Sequence, residues 1–152
     1  MTDFYHVCFA VPDLRAAMSD LTSVAGIEWN PPRTDTLGDW PYTIVFSQAV
    51  PYIELIHGPP GSPWDTSSGA QFHHLGWWTH SLTSSARQLT DAGMLQDFDG
   101  CPYGRSFAYH RIDSIGARIE IVDIAAQPAF LNTWNPGGDP MQALGSCDGP
   151  RP

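Results

Sequence analysis

The chain has 152 residues, of which 42% are hydrophobic and 15% charged, a balance that excludes a disordered polymer and leaves length for one core-forming unit. Its net charge is −9, and all seven basic residues are arginine. With no basic run to grip phosphates, nucleic acid and anionic lipid are excluded as partners.

In chain order, Tyr5 to Val11 reads as a strand closed by Pro12-Asp13. Asp13 is a helix N-cap, followed by Leu14, Met18, Leu21 and Val24 at helical spacing and a stop at Gly26. Ile27-Glu28-Trp29 is a short second strand, broken by Pro31-Pro32, and a polar stretch runs on to Gly38. Trp40 to Ser47 and Tyr52 to Ile56 are the next strands. Residues 58–71 hold Gly58-Pro59-Pro60-Gly61 and Ser62-Pro63 without apolar period and read as a linker.

The pattern then restarts. Phe72 to Thr79 is a strand, and Ser81 caps a helix bearing Leu82, Ala86, Leu89 and Ala92 up to Gly93. Strands follow at Met94–Phe98, Phe107–Ile112 and Ala117–Asp123. His6-Val7-Cys8-Phe9 aligns with His74-Leu75-Gly76-Trp77, and Ile53-Glu54-Leu55 with Ile119-Glu120-Ile121. The order of elements and the His/Glu positions recur together, which indicates an internal duplication of a βαβββ unit. The expected organisation is one domain over 1–152, with modules at 4–57 and 72–124 and a tail at 125–152. That tail carries a helix over Ala129 to Trp134, and its last dozen residues are expected to be mobile.

Three cysteines, Cys8, Cys101 and Cys147, form neither a CxxC pair nor an even disulfide framework, and Cys8 reads as a small buried hydrophobe. The start shows no secretory pattern and no apolar run is long enough to span a bilayer, so a cytoplasmic protein is expected.

Two of the three glutamates, Glu54 and Glu120, stand in the middle of branched apolar strands. A carboxylate buried there without a partner costs several kcal/mol, so it pairs, hydrogen-bonds or binds a metal. Alternate strand residues share a face. His6 therefore goes with Cys8 and Ala10, Glu54 with Tyr52 and Ile56, and Glu120 with Arg118 and Val122, each opposite a purely apolar face that a helix can cover. A lone strand histidine is ordinarily a satisfied core or rim residue, and His57, His73, His80 and His110 are read that way. His73 in particular points by parity to the helix side. The matched set His6, Glu54, His74 and Glu120 is instead a nitrogen/oxygen site for one divalent metal such as Zn, Ni, Co, Mn or Fe.

At these residues the chain resembles the vicinal oxygen chelate superfamily, the fold of glyoxalase I, methylmalonyl-CoA epimerase and the extradiol dioxygenases. The matching positions are His6 with Val11-Pro12-Asp13-Leu14, Glu54 in Ile53-Glu54-Leu55-Ile56, His74 in His73-His74-Leu75-Gly76, and Glu120 in Ile119-Glu120-Ile121. The resemblance implies an α+β fold in which two tandem βαβββ modules form a curved, mixed, eight-stranded, open barrel-like sheet around one metal, with the helices outside. The modules pair within one chain or across a dimer, and the chain is expected to form a homodimer. Two carboxylates resemble the glyoxalase I set more than the two-His, one-carboxylate set of the dioxygenases. The arginine and asparagine that glyoxalase I carries for glutathione are replaced here by Ala10 and Gly58, so glutathione is not the expected substrate. The glycine- and proline-rich linker leading into His73-His74 looks closer to the epimerase branch.

The activity so implied is a metal-dependent isomerase, epimerase or lyase working through an enediolate of a carbonyl compound, partly apolar or a thioester. The alternatives are a small-molecule-binding protein without chemistry and an iron(II) dioxygenase. Glu120 or Glu54 serves as the base by resemblance to glyoxalase I; Asp39, where the third strand begins, serves by resemblance to the epimerases. Tyr52, Trp78, Tyr42 and Tyr109 are candidate substrate contacts, and Arg118 is a candidate partner for an anionic group.

Overall fold

The computed structural model describes residues 4–145. Its elements are β1 (His6–Ala10), α1 (Leu14–Ala25), β2 (Arg33–Leu37), β3 (Trp40–Phe46), β4 (Tyr52–His57), β5 (Gln71–Thr79), α2 (Leu82–Asp91), β6 (Gln96–Asp99), β7 (Phe107–Ile112), β8 (Ala117–Asp123), α3 (Gln127–Trp134) and β9 (Ala143–Leu144). The main sheet runs β2-β3-β4-β1-β5-β8-β7-β6, with β9 added in parallel to β5. β1 pairs with β4 in parallel and β5 with β8 in parallel, so each half reads outward in the same order from a central antiparallel β1–β5 pair. The two halves thus meet within a single chain.

The far edges approach one another. Asp35 of β2 holds Arg105 from the loop before β7 at 2.6 Å, and the Trp40 ring lies 6.2 Å from that of Phe98. The mixed sheet is therefore curled into a half-barrel.

Local signals place both long helices. The Asp13 side chain accepts from the Ala16 N–H at 3.0 Å, and Gly26 ends α1 at φ 65, a left-handed turn that glycine enters without Cβ strain. Leu14, Ala17, Met18 and Leu21 pack on Val11, Val45 and Leu55 across the sheet. Val24, though at the right spacing, is left outside at 81% exposure. Ser81 caps α2 through the Ser84 N–H.

Several sequence expectations need correction. The second strand is Arg33–Leu37 rather than Ile27–Trp29. Trp29 makes a single bridge to Ser47, and its indole N–H is drawn to the Met18 carbonyl instead. β2 is an edge strand with only Leu37 buried, and hence lacks the apolar alternation that betrays a strand. Segment 58–70 carries Trp64 into the interior, packed with Cys8, Leu37 and Ile56. α3 begins at Gln127, whose side-chain amide clasps the Met141 backbone through both its oxygen and its nitrogen. Within the supposedly mobile last dozen residues, Ala143 and Leu144 pair with β5, while Cys147 and the rest from 146 lie outside the described residues. Among the described residues no helix is long and apolar enough to cross a membrane.

Candidate metal centre

The register of the four central strands brings His6, Glu54, His74 and Glu120 together. Cys8 of β1 lies opposite both Glu54 of β4 and His74 of β5, while Gly76 of β5 lies opposite both His6 and Glu120. The missing side chain at Gly76 is what admits the His6 ring: a Cβ there would stand 2.0 Å from His6 Cε1.

His6 Nε2 is 2.7 Å from His74 Nε2, 2.9 Å from Glu54 Oε2 and 3.3 Å from Glu120 Oε2. His74 Nε2 is 3.6 and 3.4 Å from the same two oxygens. One ligand atom from each residue falls within 4.8 Å of the others, and all four side chains are buried. Ligands bonded to a zinc-sized ion at about 2.0–2.1 Å stand about 3.3 Å apart in a tetrahedron, so the observed spacings fit such an ion. The charges fit too: two carboxylates and two neutral imidazoles balance a dication. Among the described residues no arginine forms an ion pair with either glutamate. Burial alone would raise the Glu54 carboxyl, but the adjacent His6 and His74 rings bring it below the usual carboxylate range.

His73 departs from its expected placement on the helix side. Cys8 pairs with His74 and Phe9 with Phe72, which leaves His73 as the extra residue of a β-bulge. The bulge turns its ring inward, where it is buried, with Nδ1 2.8 Å from His74 Nδ1 and Nε2 2.8 Å from the Pro63 carbonyl oxygen. Burial, and then the neighbouring His74, push the His73 imidazole down to about 3, so it is neutral. Cys8 is fully buried as expected, and burial pushes its thiol up. His57 and His110 bond to the Val11 and Met94 carbonyls, and His80 is exposed.

Glu54 and Glu120 open onto a cavity of about 400 Å³. Trp78, which shares the His74 face, lines it together with Tyr42 and Tyr109. Burial, followed by Glu120 and Glu54, raises the Tyr109 phenol well above its ordinary value, and its oxygen accepts from the Trp64 indole N–H at 3.0 Å.

Three candidates are not brought to this cavity. Tyr52 is buried behind it, its hydroxyl accepting from the Asn135 amide at 2.9 Å. Asp39 is exposed in the turn between β2 and β3 and is not among the residues that line the cavity. Arg118 is held by Asp97. In their place stand residues that periodicity does not flag: Trp64 from the proline-rich segment, Phe130 and Trp134 from α3, and Arg105 at the mouth. The trace of Trp64, Phe130 and Trp134 in the sequence is the presence of large aromatics in a proline-rich segment and in the tail helix, and Arg105 leaves none.

A family model described as the Glyoxalase/Bleomycin resistance protein/Dioxygenase superfamily matches residues 5–109. No curated protein sequence matches the chain. Among solved structures it resembles Streptomyces coelicolor methylmalonyl-CoA epimerase in complex with 2-nitronate-propionyl-CoA, at 17% identity and TM-score 0.60, covering 81% of this chain and 97% of that one. Methylmalonyl-CoA epimerase from Mycobacterium tuberculosis is similar at 19% identity and TM-score 0.59, covering 84% and 91%. A hypothetical protein from Bacillus halodurans is similar at 15% identity and TM-score 0.62, covering 80% and 93%. At such identities these likenesses establish the shared fold. The family match spans more than half of the sequence, and on that ground the chain belongs to the glyoxalase/bleomycin resistance/dioxygenase superfamily.

Proposed function

We propose that this protein is a divalent-metal-dependent isomerase, epimerase or lyase that removes the proton next to a substrate carbonyl. The observation that carries this reading is the two-histidine, two-carboxylate cluster whose carboxylates open onto an aromatic-walled cavity. His6, Glu54, His74 and Glu120 would hold the ion. A bound divalent cation would supply Lewis acidity that steadies negative charge on a carbonyl oxygen.

The remaining work falls to the chain. With Asp39 outside, Glu54 and Glu120 are the only carboxylates on the cavity wall among the described residues. The Glu120 side chain is the more open, at 11% against 5%. That difference favours Glu120 as the proton acceptor and Glu54 as the anchor. Trp78 and Tyr42 would enclose the apolar part of the substrate and exclude water, while the protonated Tyr109 hydroxyl has its hydrogen available for a substrate oxygen. Neither position that serves glutathione in glyoxalase I offers a polar side chain: Ala10 is a fully buried methyl, and Gly58 is packed against Ser62. A partly apolar carbonyl compound fits better, and the CoA derivative bound by the Streptomyces epimerase supports including thioesters.

Metal analysis of the purified protein, followed by proton exchange from candidate carbonyl compounds in deuterated water, tests this. One bound ion and metal-dependent exchange are expected. Absence of metal, together with unaltered ligand binding in His6→Ala and Glu120→Ala, would mean a binding protein without chemistry. Substrate-dependent oxygen consumption with iron(II) would mean a dioxygenase.

A further inference from the structure

We propose that His73 is a positioning residue that fixes the tautomer of His74 and so presents the His74 Nε2 lone pair to the cation site. This inference rests on the cluster described above binding a divalent ion. It concerns a residue that touches neither the proposed ion nor the cavity.

The hydrogen-bond chain has only one consistent direction. The Pro63 carbonyl oxygen, 2.8 Å from His73 Nε2, can only accept, so that nitrogen carries the hydrogen. A neutral imidazole has one N–H, which leaves His73 Nδ1 as an acceptor. Its partner at 2.8 Å is His74 Nδ1, which must then be the donor. With its hydrogen held on Nδ1 by His73, the proton that His74 gives up when a cation binds is the one on Nε2, and the lone pair is left there. That is the atom 2.7 Å from His6 Nε2 and within 3.6 Å of both carboxylates. A ligating imidazole needs that free lone pair, and an outer partner on the other nitrogen fixes the ring and raises its basicity.

Two features show that the arrangement is built rather than incidental. The bulge at His73 breaks the β1–β5 register at the one place where doing so stacks two histidines in sequence against each other. Pro63 belongs to the segment that also buries Trp64, so a single loop supplies both the end of the relay and part of the cavity wall. Cys8 lies behind the same ring, and one ligand atom from each of Cys8, His73 and His74 falls within 4.8 Å of the other two. A metal held by that trio is the competing reading, and it requires a sulfur ligand.

The test compares wild type, His73→Gln and His73→Phe. Glutamine can accept from His74 Nδ1–H and donate to Pro63, whereas phenylalanine can do neither. Zinc affinity is measured by chelator competition, the His74 tautomer by nitrogen-15 NMR of the metal-free protein at a pH where the His74 ring is neutral, and sulfur ligation by the spectrum of the cobalt(II) form. Expected are a His74 Nδ1–H tautomer in wild type, zinc binding weakened about 10–100-fold in His73→Phe, and near-complete rescue in His73→Gln. A His74 Nε2–H tautomer, undiminished zinc binding in a folded His73→Phe, or a thiolate-to-cobalt band would each overturn the proposal. If His73→Phe does not fold, the wild-type tautomer and the glutamine variant still decide it. Failure of wild type to bind any metal would defeat the proposed function, while the metal-free spectrum would still report separately on His73.

Discussion

Glu54 and Glu120 show how a strand interior accommodates charge. Each is buried among branched apolar neighbours, and each faces two imidazoles across a hydrogen-bonded register. That arrangement offsets the desolvation that an isolated carboxylate would suffer. The space for it is made by Gly76. In Gly76→Ala the added Cβ would enter the His6 ring, which is fully buried and has no room to retreat. The variant is expected to be destabilised by about 1–3 kcal/mol in urea unfolding and to lose metal affinity in a zinc titration. Wild-type behaviour in both would show that the ring has another place to go. The four candidate ligands were legible because strand alternation is a local rule. Tyr52 obeyed the same rule, sharing the Glu54 face, yet missed the cavity because Asn135, more than eighty residues away, takes its hydroxyl.

At the scale of elements, the helices were the most readable parts because their ends are chemically marked. Asp13 and Ser81 cap as their residue types predict, each accepting a backbone N–H three residues on. Replacing Asp13 with alanine should cost about 1 kcal/mol in chemical denaturation with little change in metal binding, since α1 lies on the sheet face opposite the site. A larger loss of metal than of stability would mean that α1 orients β1 more closely than its packing suggests. Strand β2 was unreadable for the converse reason: an exposed edge has no apolar period. The bulge in β5 was invisible too, because a bulge adds one residue without altering composition, yet it reverses the side to which His73 points.

Across the whole molecule, the two halves join at β1 and β5, and the ligand set is shared between them: His6 and Glu54 from one, His74 and Glu120 from the other. An ion held there would cross-link the halves and stabilise only the folded chain. Zinc at about 100 times its dissociation constant is expected to add about 2.7 kcal/mol, or roughly 5–10 °C in Tm, reversed by a chelator. An unchanged melting curve would argue against a cation at the seam. The tail completes the cavity, since Phe130 and Trp134 of α3 form part of its wall and Gln127 ties α3 to the segment leading into β9.

By itself the sequence determined the repeat of elements, the helix caps and the common face of the two histidines and two glutamates. The caps and the face of each strand residue follow from neighbours a few residues apart, and the repeat from laying one half of the chain on the other. Only the tertiary structure decided what surrounds that cluster. It withdrew Asp39, Tyr52 and Arg118, and it brought in Trp64, Arg105, Phe130 and Trp134 from two loops and the tail. A cavity wall is made by segments that meet through sheet curl and packing, and such meetings leave no period in the chain to be read.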